Sequence, residues 1–535
     1  MSVRAQELAG TQAIGSGAVA PPPSRTLADL IVDLPDAQIR GSAGLSVSSV
    51  RYRSDDVGPG ALFFCVRGSA VDGHAFAGEA VSRGAVALVV DHRVDSDVAQ
   101  VLVRDVGEAM GPVSAAFYGR PADAMTVVGV TGTNGKTTTT YLLEAVFRAD
   151  GRTPGIIGTT GVRIDGRPEP FPRTTPEAPD LQRLLATMAG EGVDTVAMEV
   201  SSHGLHQHRV DGVRYSVAVF TNLSQDHLDY HASMEEYFAA KARLFTPAMS
   251  DRAVVNLDDD AGRRLAGSDL PTITYGLGVD AEIRATQVGS TPEGVAFLAD
   301  GVPIRSPLRG SFNVENCLAA FATARSLGVD DLVAAEAISS VRGVPGRGET
   351  VEAGQGFLVM VDYAHTPASV ENVLRAARSL AKDRVIAVVG CGGDRDRAKR
   401  PRMGFAATAN ADLAIITSDN PRSEDPLAII AEITPGAERG AKERGGRFVV
   451  EPDRRAAIRL AMSEAAPGDV VVIAGKGHET YQELANGTIP FDDRRVAEEE
   501  LRSTGKATCS SARSRRSRPR CAARSEDQTP SSPPS

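Results

Sequence analysis

The chain has 535 residues, a length that predicts about three domains. Hydrophobic residues at 42% and charged residues at 24% are ordinary globular values, which excludes whole-chain disorder, a collagen-like repeat and a disulfide scaffold. The formal charge is −10, and residues 506–535 hold Lys506 and six arginines against Glu526 and Asp527, a net +5 that leaves −15 on the rest; such a body is not a general nucleic-acid binder.

Residues 1–25 are Ala/Gly/Pro/Ser-rich and pass through Pro21-Pro22-Pro23, so they are expected to form a flexible lead-in. Arg4 has no apolar core behind it, and no signal peptide is expected. Ala61–Val66 and Val86–Val90 read as short β-type runs that bracket a helical stretch containing His74–Arg83. Met125–Val130 reads as a strand that runs into a Gly/Thr loop and then a helix from Lys136. Thr195–Val200 and Val217–Thr221 are further buried-strand candidates. Phe357–Asp362, Val385–Val389, Leu413–Thr417 and Val470–Ala474 each precede a loop and a helical pattern. After Asp362, Pro367 falls in a first helical turn, and Val370, Val373, Leu374, Ala377 and Leu380 keep the helical period.

Strand–loop–helix repetition of this kind predicts an α/β protein with parallel sheets covered on both faces. Gly119-Arg120-Pro121 and Val344-Pro345-Gly346-Arg347-Gly348 mark the breaks, giving modules of 26–120, 121–349 and 350–505. The Ser/Arg/Pro-rich segment 506–535 lacks apolar periodicity and is expected to be a disordered basic tail. Cys65, Cys317, Cys391, Cys509 and Cys521 are scattered and form no CxxC pair, which fits a reducing compartment. No apolar run reaches the roughly 18 residues that span a bilayer. A cytoplasmic protein without membrane insertion is expected.

The strongest local signal is Thr131-Gly132-Thr133-Asn134-Gly135-Lys136-Thr137-Thr138, placed after a strand and opening a helix. Glycines let backbone N–H groups approach a polyphosphate, the helix N-terminus adds its dipole, Lys136 adds charge beside the outer phosphates, and Thr137 can reach magnesium. The usual pattern has glycine at position 130, where this chain has Val130 and offers Gly129 and Gly132. The strand Thr195–Val200 delivers Glu199 into Ser201-Ser202-His203-Gly204-Leu205, and a carboxylate at the C-terminal end of a strand is where α/β folds place reactive groups. The run Asp226-His227-Leu228-Asp229-Tyr230-His231 reads either as metal ligation or as surface polarity.

Taken together with Gly310-Ser311-Phe312-Asn313-Val314-Glu315-Asn316, Val344-Pro345-Gly346-Arg347 and Asp362-Tyr363-Ala364-His365-Thr366-Pro367, these segments resemble the Mur ligase family, ATP-dependent amide ligases of peptidoglycan synthesis. The resemblance covers about residues 45–500. It implies a three-domain architecture with a central P-loop ATPase-like sheet and a C-terminal Rossmann-like domain. Gly390-Cys391-Gly392-Gly393-Asp394-Arg395-Asp396, Asp419-Asn420-Pro421-Arg422 and Gly475-Lys476-Gly477-His478-Glu479 resemble the branch that adds meso-diaminopimelate to UDP-N-acetylmuramoyl-L-Ala-D-Glu through an acyl phosphate. The chemistry agrees, because diaminopimelate carries a distal carboxylate that lysine lacks and a planar guanidinium can grip it bidentately.

The resemblance implies ATP contacts at Gly132, Thr133, Asn134, Gly135, Lys136, Thr137, Thr138, Asn313, Asn316 and Arg347. It implies two magnesium ions, held through Thr137 and through Glu199, His227 and Lys241, the last as a carbamate formed with carbon dioxide. It implies nucleotide-sugar contacts at Tyr52, Ser54, Ser69, Ala70, Val71, Thr174, Thr175, Ser201, Gln207 and Arg209. Amino-acid contacts are implied at Arg395, Asp419, Asn420, Pro421, Arg422, Gly475 and Glu479. Where the family has Asp-Ser-Arg, this chain has Arg53-Ser54-Asp55, and Arg173 stands where some relatives place asparagine. A monomer acting on small molecules is expected. Three rivals remain at this stage: a folylpolyglutamate synthase-like ligase, a lysine-adding ligase, and a nucleotide-regulated binding protein without catalysis.

Overall fold

The computed structural model describes residues 24–503, apart from Ser69, Ala70, Pro170, Pro172 and Pro292. The lead-in expected over residues 1–23 and the tail expected from Lys506 lie outside the described residues. Within the span read as a lead-in, Arg25 pairs with Val47 in a short antiparallel ladder.

Val127, Val128 and Val130 are fully buried in the strand Thr126–Thr131. Burying each such side chain contributes about 1.5–3 kcal/mol, and a β-branched run covered on both faces belongs in a parallel sheet. The strand sits near the middle of an eleven-stranded sheet, between Thr195–Glu199 and Val217–Phe220 and parallel to both. Its C-terminal end therefore lies beside the ends that carry Glu199 and Phe220. The helix Lys136–Ala149 follows directly and packs Leu142, Leu143, Val146 and Phe147 into the core shared with helix Phe312–Ser326.

A second sheet of five strands carries Ala61–Phe64 and Ala85–Val90 as parallel neighbours, with the helix Ala77–Ser82 between them in sequence. A third, six-stranded sheet orders Leu358–Asp362, Val470–Ala474, Val385–Cys391 and Leu413–Ser418 as parallel neighbours. The helix Pro367–Leu380 starts with a capping box, in which the Thr366 hydroxyl accepts from Ser369 N and Ser369 serves the Thr366 backbone in return.

The three large sheets are parallel at their centres and take on antiparallel strands at an edge. The central sheet is extended at one edge by Ile283–Thr291, Gly294–Ala299 and Val302–Ser306, which pair antiparallel. At the other edge Gly161–Ile164 and Arg167–Glu169 turn back in the same way. Ile283–Thr291 and Val302–Ser306 mix buried and open positions, whereas Gly294–Ala299 between them is an apolar run that buries Val295, Phe297 and Ala299. No helix among the described residues is long and apolar enough to cross a membrane.

Candidate active site

Gly132 and Gly135 have φ of +146° and +88°, conformations that side chains disfavour. Space makes the same demand. A Cβ on Gly132 would lie 1.9 Å from Thr221 Oγ1, and one on Gly135 would lie 2.3 Å from Asn316 Oδ1. The loop is braced by its neighbour strand: Thr133 N donates to Asn222 O at 2.8 Å, Asn134 N to Asn222 Oδ1 at 2.9 Å, and Thr221 Oγ1 to Asn134 O at 2.6 Å. Thr133 Oγ1 accepts from Ser224 N at 2.9 Å and lies 3.1 Å from the Tyr237 hydroxyl.

Lys136 Nζ donates to Gly132 O and Thr133 O, both at 2.9 Å. Lys241 Nζ reaches the same Gly132 O at 2.9 Å and lies 4.6 Å from the Tyr237 ring centre. Lys241 is carried there by the helix Met234–Ala242, which Ser233 caps and whose first turn holds Glu235 and Glu236. Burial, with Lys136 as a second cause, pulls the Lys241 ammonium well below its ordinary pKa. Burial also lowers Lys136, with Glu199 and Asp226 opposing.

Glu199 is buried and fixed on both oxygens, accepting from Thr159 N at 2.9 Å and from Thr159 Oγ1 at 3.0 Å. His227 has φ +56°, a strained conformation for a side-chain-bearing residue. Burial first, and then His203, His365 and Lys241, hold its imidazole neutral against the pull of Asp226. A neutral imidazole keeps a lone pair for a cation. The structure thus gathers Lys136, Glu199, His227 and Lys241 around one phosphate loop.

Arg347 Nη2 donates to Thr137 Oγ1 at 2.9 Å, and its guanidinium lies 4.7 Å from the Tyr363 ring centre. Asn316 Nδ2 donates to Asn313 Oδ1 at 2.9 Å, and Asn313 Nδ2 donates to Arg309 O at 2.7 Å. Beside them opens a cavity of about 150 Å³ lined by Thr138, Leu308, Phe312, Asn313, Arg347 and Met360. Of the expected nucleotide residues, Thr138, Asn313 and Arg347 line this cavity.

Thr174, Thr175, Ser201, Gln207 and Arg209 lie on the other side of Glu199. Thr175 Oγ1 donates to Glu199 O and accepts from Ser201 N, both at 3.0 Å. Thr174 Oγ1 is 3.1 Å from Thr159 Oγ1. Arg209 donates to Thr175 O at 3.2 Å and pairs with Glu177 at 3.1 Å, while Gln207 Nε2 donates to the Tyr230 hydroxyl at 2.9 Å. Ser201 Oγ caps the short helix Ser202–His206 by accepting from Gly204 N. Arg173 pairs with Glu177.

In the N-terminal sheet, Tyr52 OH donates to Asp180 Oδ2 at 2.7 Å and Ser54 Oγ donates to Glu79 Oε2 at 3.1 Å. Arg53 and Asp55, the reversed pair, bind each other at 2.7 Å. Val71 is half exposed; Ser69 and Ala70 lie outside the described residues. The Tyr52 hydroxyl is already committed to a helix of the middle domain, which the sequence did not suggest.

On the C-terminal sheet, Asp419, Asn420, Pro421 and Arg422 follow the strand Leu413–Ser418 and meet Gly475 and Glu479, which follow Val470–Ala474. A Cβ on Gly475 would lie 2.4 Å from Asp419 Oδ2. Asn420 Nδ2 donates to Glu479 Oε2 at 2.9 Å. Arg422, at φ +52°, pairs with Glu483 at 2.6 Å and donates to Gly393 O at 2.7 Å. Arg395 uses one nitrogen on Asp394 O at 3.0 Å. Arg395, Arg422, Glu479 and Glu483 all act on Tyr481, whose hydroxyl burial pushes up to about 12.

Two features escaped sequence reasoning. Asp226 is buried and faces Lys399 at 3.4 Å and His365 at 3.6 Å, both from the C-terminal domain. Burial opposes its ionisation, yet His227, His365 and Lys399 hold its carboxyl well below the usual range. Lys399 stands in the run Arg395-Asp396-Arg397-Ala398-Lys399-Arg400, which has the look of a solvated face; its pairing across domains leaves no local signal. Lys476 is the second, buried among Asn420, Glu479 and Asp419.

This geometry is that of a family of nucleotide-dependent ligases, and the comparisons agree. Residues 46–118 match the model "Mur ligase family, catalytic domain", 130–324 the "Mur ligase middle domain", and 346–477 the "Mur ligase, glutamate ligase domain". The chain belongs to the Mur ligase family. It is 48% identical over 484 residues to the UDP-N-acetylmuramoyl-L-alanyl-D-glutamate–2,6-diaminopimelate ligase of Geobacillus thermodenitrificans, spanning 88% of this chain and 98% of that protein. It is 46% identical over 492 residues to the enzyme of the same name from Geobacillus kaustophilus, spanning 90% and 100%. A solved structure of a ligase of that name is similar at a TM-score of 0.64 and 32% identity, covering 90% of this chain and 99% of that one.

Proposed function

We propose that the chain is an ATP-dependent, ADP-forming ligase that joins meso-2,6-diaminopimelate to UDP-N-acetylmuramoyl-L-Ala-D-Glu in cytoplasmic peptidoglycan precursor synthesis, acting as a monomer. The relatives at 48% and 46% identity carry that name. The observation that carries the reading is the meeting of two sites at one domain junction. Asp226, next to His227 at the phosphate loop, is held by Lys399 and His365 of the domain that bears Arg395, Arg422 and Glu479. An amino acid bound there would face the transferred phosphate.

The reaction brings two anions together, because the γ-carboxylate of the D-Glu residue attacks the γ-phosphate of ATP. Fixed positive charge must offset their repulsion. In this reading Gly132, Thr133, Asn134, Gly135, Thr137 and Thr138 line the phosphates, Lys136 sits at their outer end, and the cavity beside Asn313, Asn316 and Arg347 receives the adenosine. Thr174, Thr175, Ser201, Gln207 and Arg209 hold the muramoyl-peptide, and Tyr52, Ser54 and the loop at Ser69, Ala70 and Val71 hold its uridine diphosphate. The acyl phosphate is then captured by the diaminopimelate amine, and phosphate departs.

The donor set around the loop suits magnesium. Glu199 offers a carboxylate and His227 a neutral imidazole. Lys241 fits only in another form, since an ammonium repels a cation. Burial favours its neutral amine, which is the form that adds carbon dioxide, and the resulting carbamate would supply oxygen ligands. Glu199, His227, carbamylated Lys241 and Thr137 would hold two ions, and when bound these supply charge neutralisation between the carboxylate and the triphosphate.

In the amino-acid pocket, Arg422 and Arg395 retain N–H groups for a distal carboxylate, and Glu479 opposes an ammonium. Asp419, Asn420, Pro421 and Gly475 frame the same end. Phosphate release measured with ATP, the muramoyl-dipeptide and, in turn, diaminopimelate, lysine or glutamate tests the reading. Release with diaminopimelate alone is expected; release with lysine alone overturns the specificity, and release with glutamate alone favours a folylpolyglutamate synthase-like ligase.

A further inference from the structure

Lys476 is fully buried, 0% exposed, beside the residues proposed above to hold the amino acid. Its neighbours Gly475 and Gly477 have φ of +121° and +53° and turn it inward at the end of the strand Val470–Ala474. A Cβ on Gly477 would lie 2.7 Å from Tyr363 Cβ, so this turn is set by close packing. Lys476 Nζ donates to Glu479 Oε2 and to Asn420 Oδ1, each at 2.8 Å, and lies 3.9 Å from Asp419 Oδ1.

The hydrogen bonds on Glu479 are one-sided. Oε2 receives Lys476 Nζ and also Asn420 Nδ2 at 2.9 Å. Oε1 receives no side-chain or backbone donor among the described residues, and 15% of the side chain stays open. Asn420 Oδ1 is in turn taken by Lys476 and by Glu483 N at 3.0 Å, so the amide cannot rotate without losing both. A carboxylate bound on one oxygen and free on the other is arranged to accept a cation from one direction only.

We propose that Lys476 is a positioning residue for the amino-acid substrate: it anchors Oε2 of Glu479, and through Asn420 the neighbouring amide, so that a charged Oε1 faces the substrate ammonium. The inference rests on the amino-acid pocket proposed above. Several groups act on Glu479. Burial raises its carboxyl, Lys476 lowers it, and Asp419 raises it again. Arg454, paired with Asp493, also faces it, as do the hydroxyls of Tyr363 and Tyr481. With burial and the Asp419 carboxylate pressing on Glu479, Lys476 is the nearest charge that favours its ionised form.

The test is steady-state phosphate release by the full chain with ATP and the muramoyl-dipeptide, varying diaminopimelate between roughly pH 6 and 9. Lys476→Met is expected to raise KM for diaminopimelate about tenfold or more while leaving KM for ATP within about twofold. That KM should fall as pH rises, and more steeply than the wild-type value does, because Glu479 must now ionise without its partner. Lys476→Met/Glu479→Gln should lose no more than about twofold beyond Glu479→Gln alone, since the lysine acts through the carboxylate.

An unchanged KM for diaminopimelate, equal losses for both substrates, a pH profile in the variant no steeper than the wild type's, or additive losses would each overturn the proposal. If Lys476→Met does not fold, Lys476→Gln carries the same expectations; failure of both to fold shows a purely structural role and overturns it too. Failure of the wild-type enzyme to use diaminopimelate refutes the pocket reading separately, and the same cycle is then run with the amino acid that does support release.

Discussion

Lys136 and Lys241 donate to the same acceptor, the carbonyl oxygen of Gly132, each at 2.9 Å. Two ammonium groups crowded on one oxygen repel each other, and burial lowers the pKa of both. Crowding and burial together favour a neutral amine at Lys241.

Lys136→Ala is expected to abolish turnover, by about a thousandfold or more, because the cation beside the outer phosphates is lost. The fold should persist, since Lys241 still serves Gly132 O. Phosphate release and thermal melting followed by circular dichroism check both halves. Retained turnover contradicts the assigned role.

Arg422→Ala is expected to raise KM for diaminopimelate about 10- to 100-fold, the loss of a charged hydrogen bond. KM for ATP should hardly move, because Arg422 contacts Glu483 and Gly393 rather than the loop at Gly132. Equal effects on the two constants would remove Arg422 from the amino-acid pocket.

Asp493→Asn breaks the ion pair with Arg454, in which both side chains are 0% exposed at 2.6 Å. An uncompensated buried guanidinium costs about 3–5 kcal/mol. Arg454 also donates to Ser418 O and Ala474 O, at the ends of the two strands that carry the amino-acid pocket. Calorimetry should show a lower melting temperature, and wild-type stability in the variant would refute the pairing.

Glu424 gives a pH test. Hydrogen bonds from Arg400, with Asp394 N as a further donor, hold its carboxyl down at about 2, against an ordinary value of 4.5. The ionised group therefore stabilises the fold above pH 4.5, and its contribution fades as pH falls toward 2. Glu424→Gln should be less stable than wild type at neutral pH, and the gap should narrow through that acid window in denaturant titrations. A gap independent of pH would show that the charge does not matter.

The buried centre of the fold was the most legible part of the sequence. Val470–Ala474 is a strand with the expected limits, and the helix begins at Lys136 as expected. Solid apolar runs and a glycine-rich loop leave local traces. Glu199 was legible because a strand end delivers it, and Asp419 and Arg422 because they stand in a short run with a recognisable resemblance. The antiparallel edge over 283–306 carried no expectation: Ile283–Thr291 and Val302–Ser306 mix polar with apolar residues, although Gly294–Ala299 between them is an apolar run. Asp226 with Lys399, and Lys476 with Glu479 and Asn420, depend on residues distant in the chain or on a burial that charge alone conceals.

The tight seat of Gly132 against Thr221 has a bearing on anyone who wishes to redesign this protein. With 1.9 Å between Thr221 Oγ1 and any added Cβ, the loop cannot be varied by itself in a library or swapped in from a distant homologue. Exchanging Thr221 as well would remove the hydroxyl clash but leave the Asn222 backbone 3.0 Å away and φ at +146°, so a redesign must keep glycine at 132.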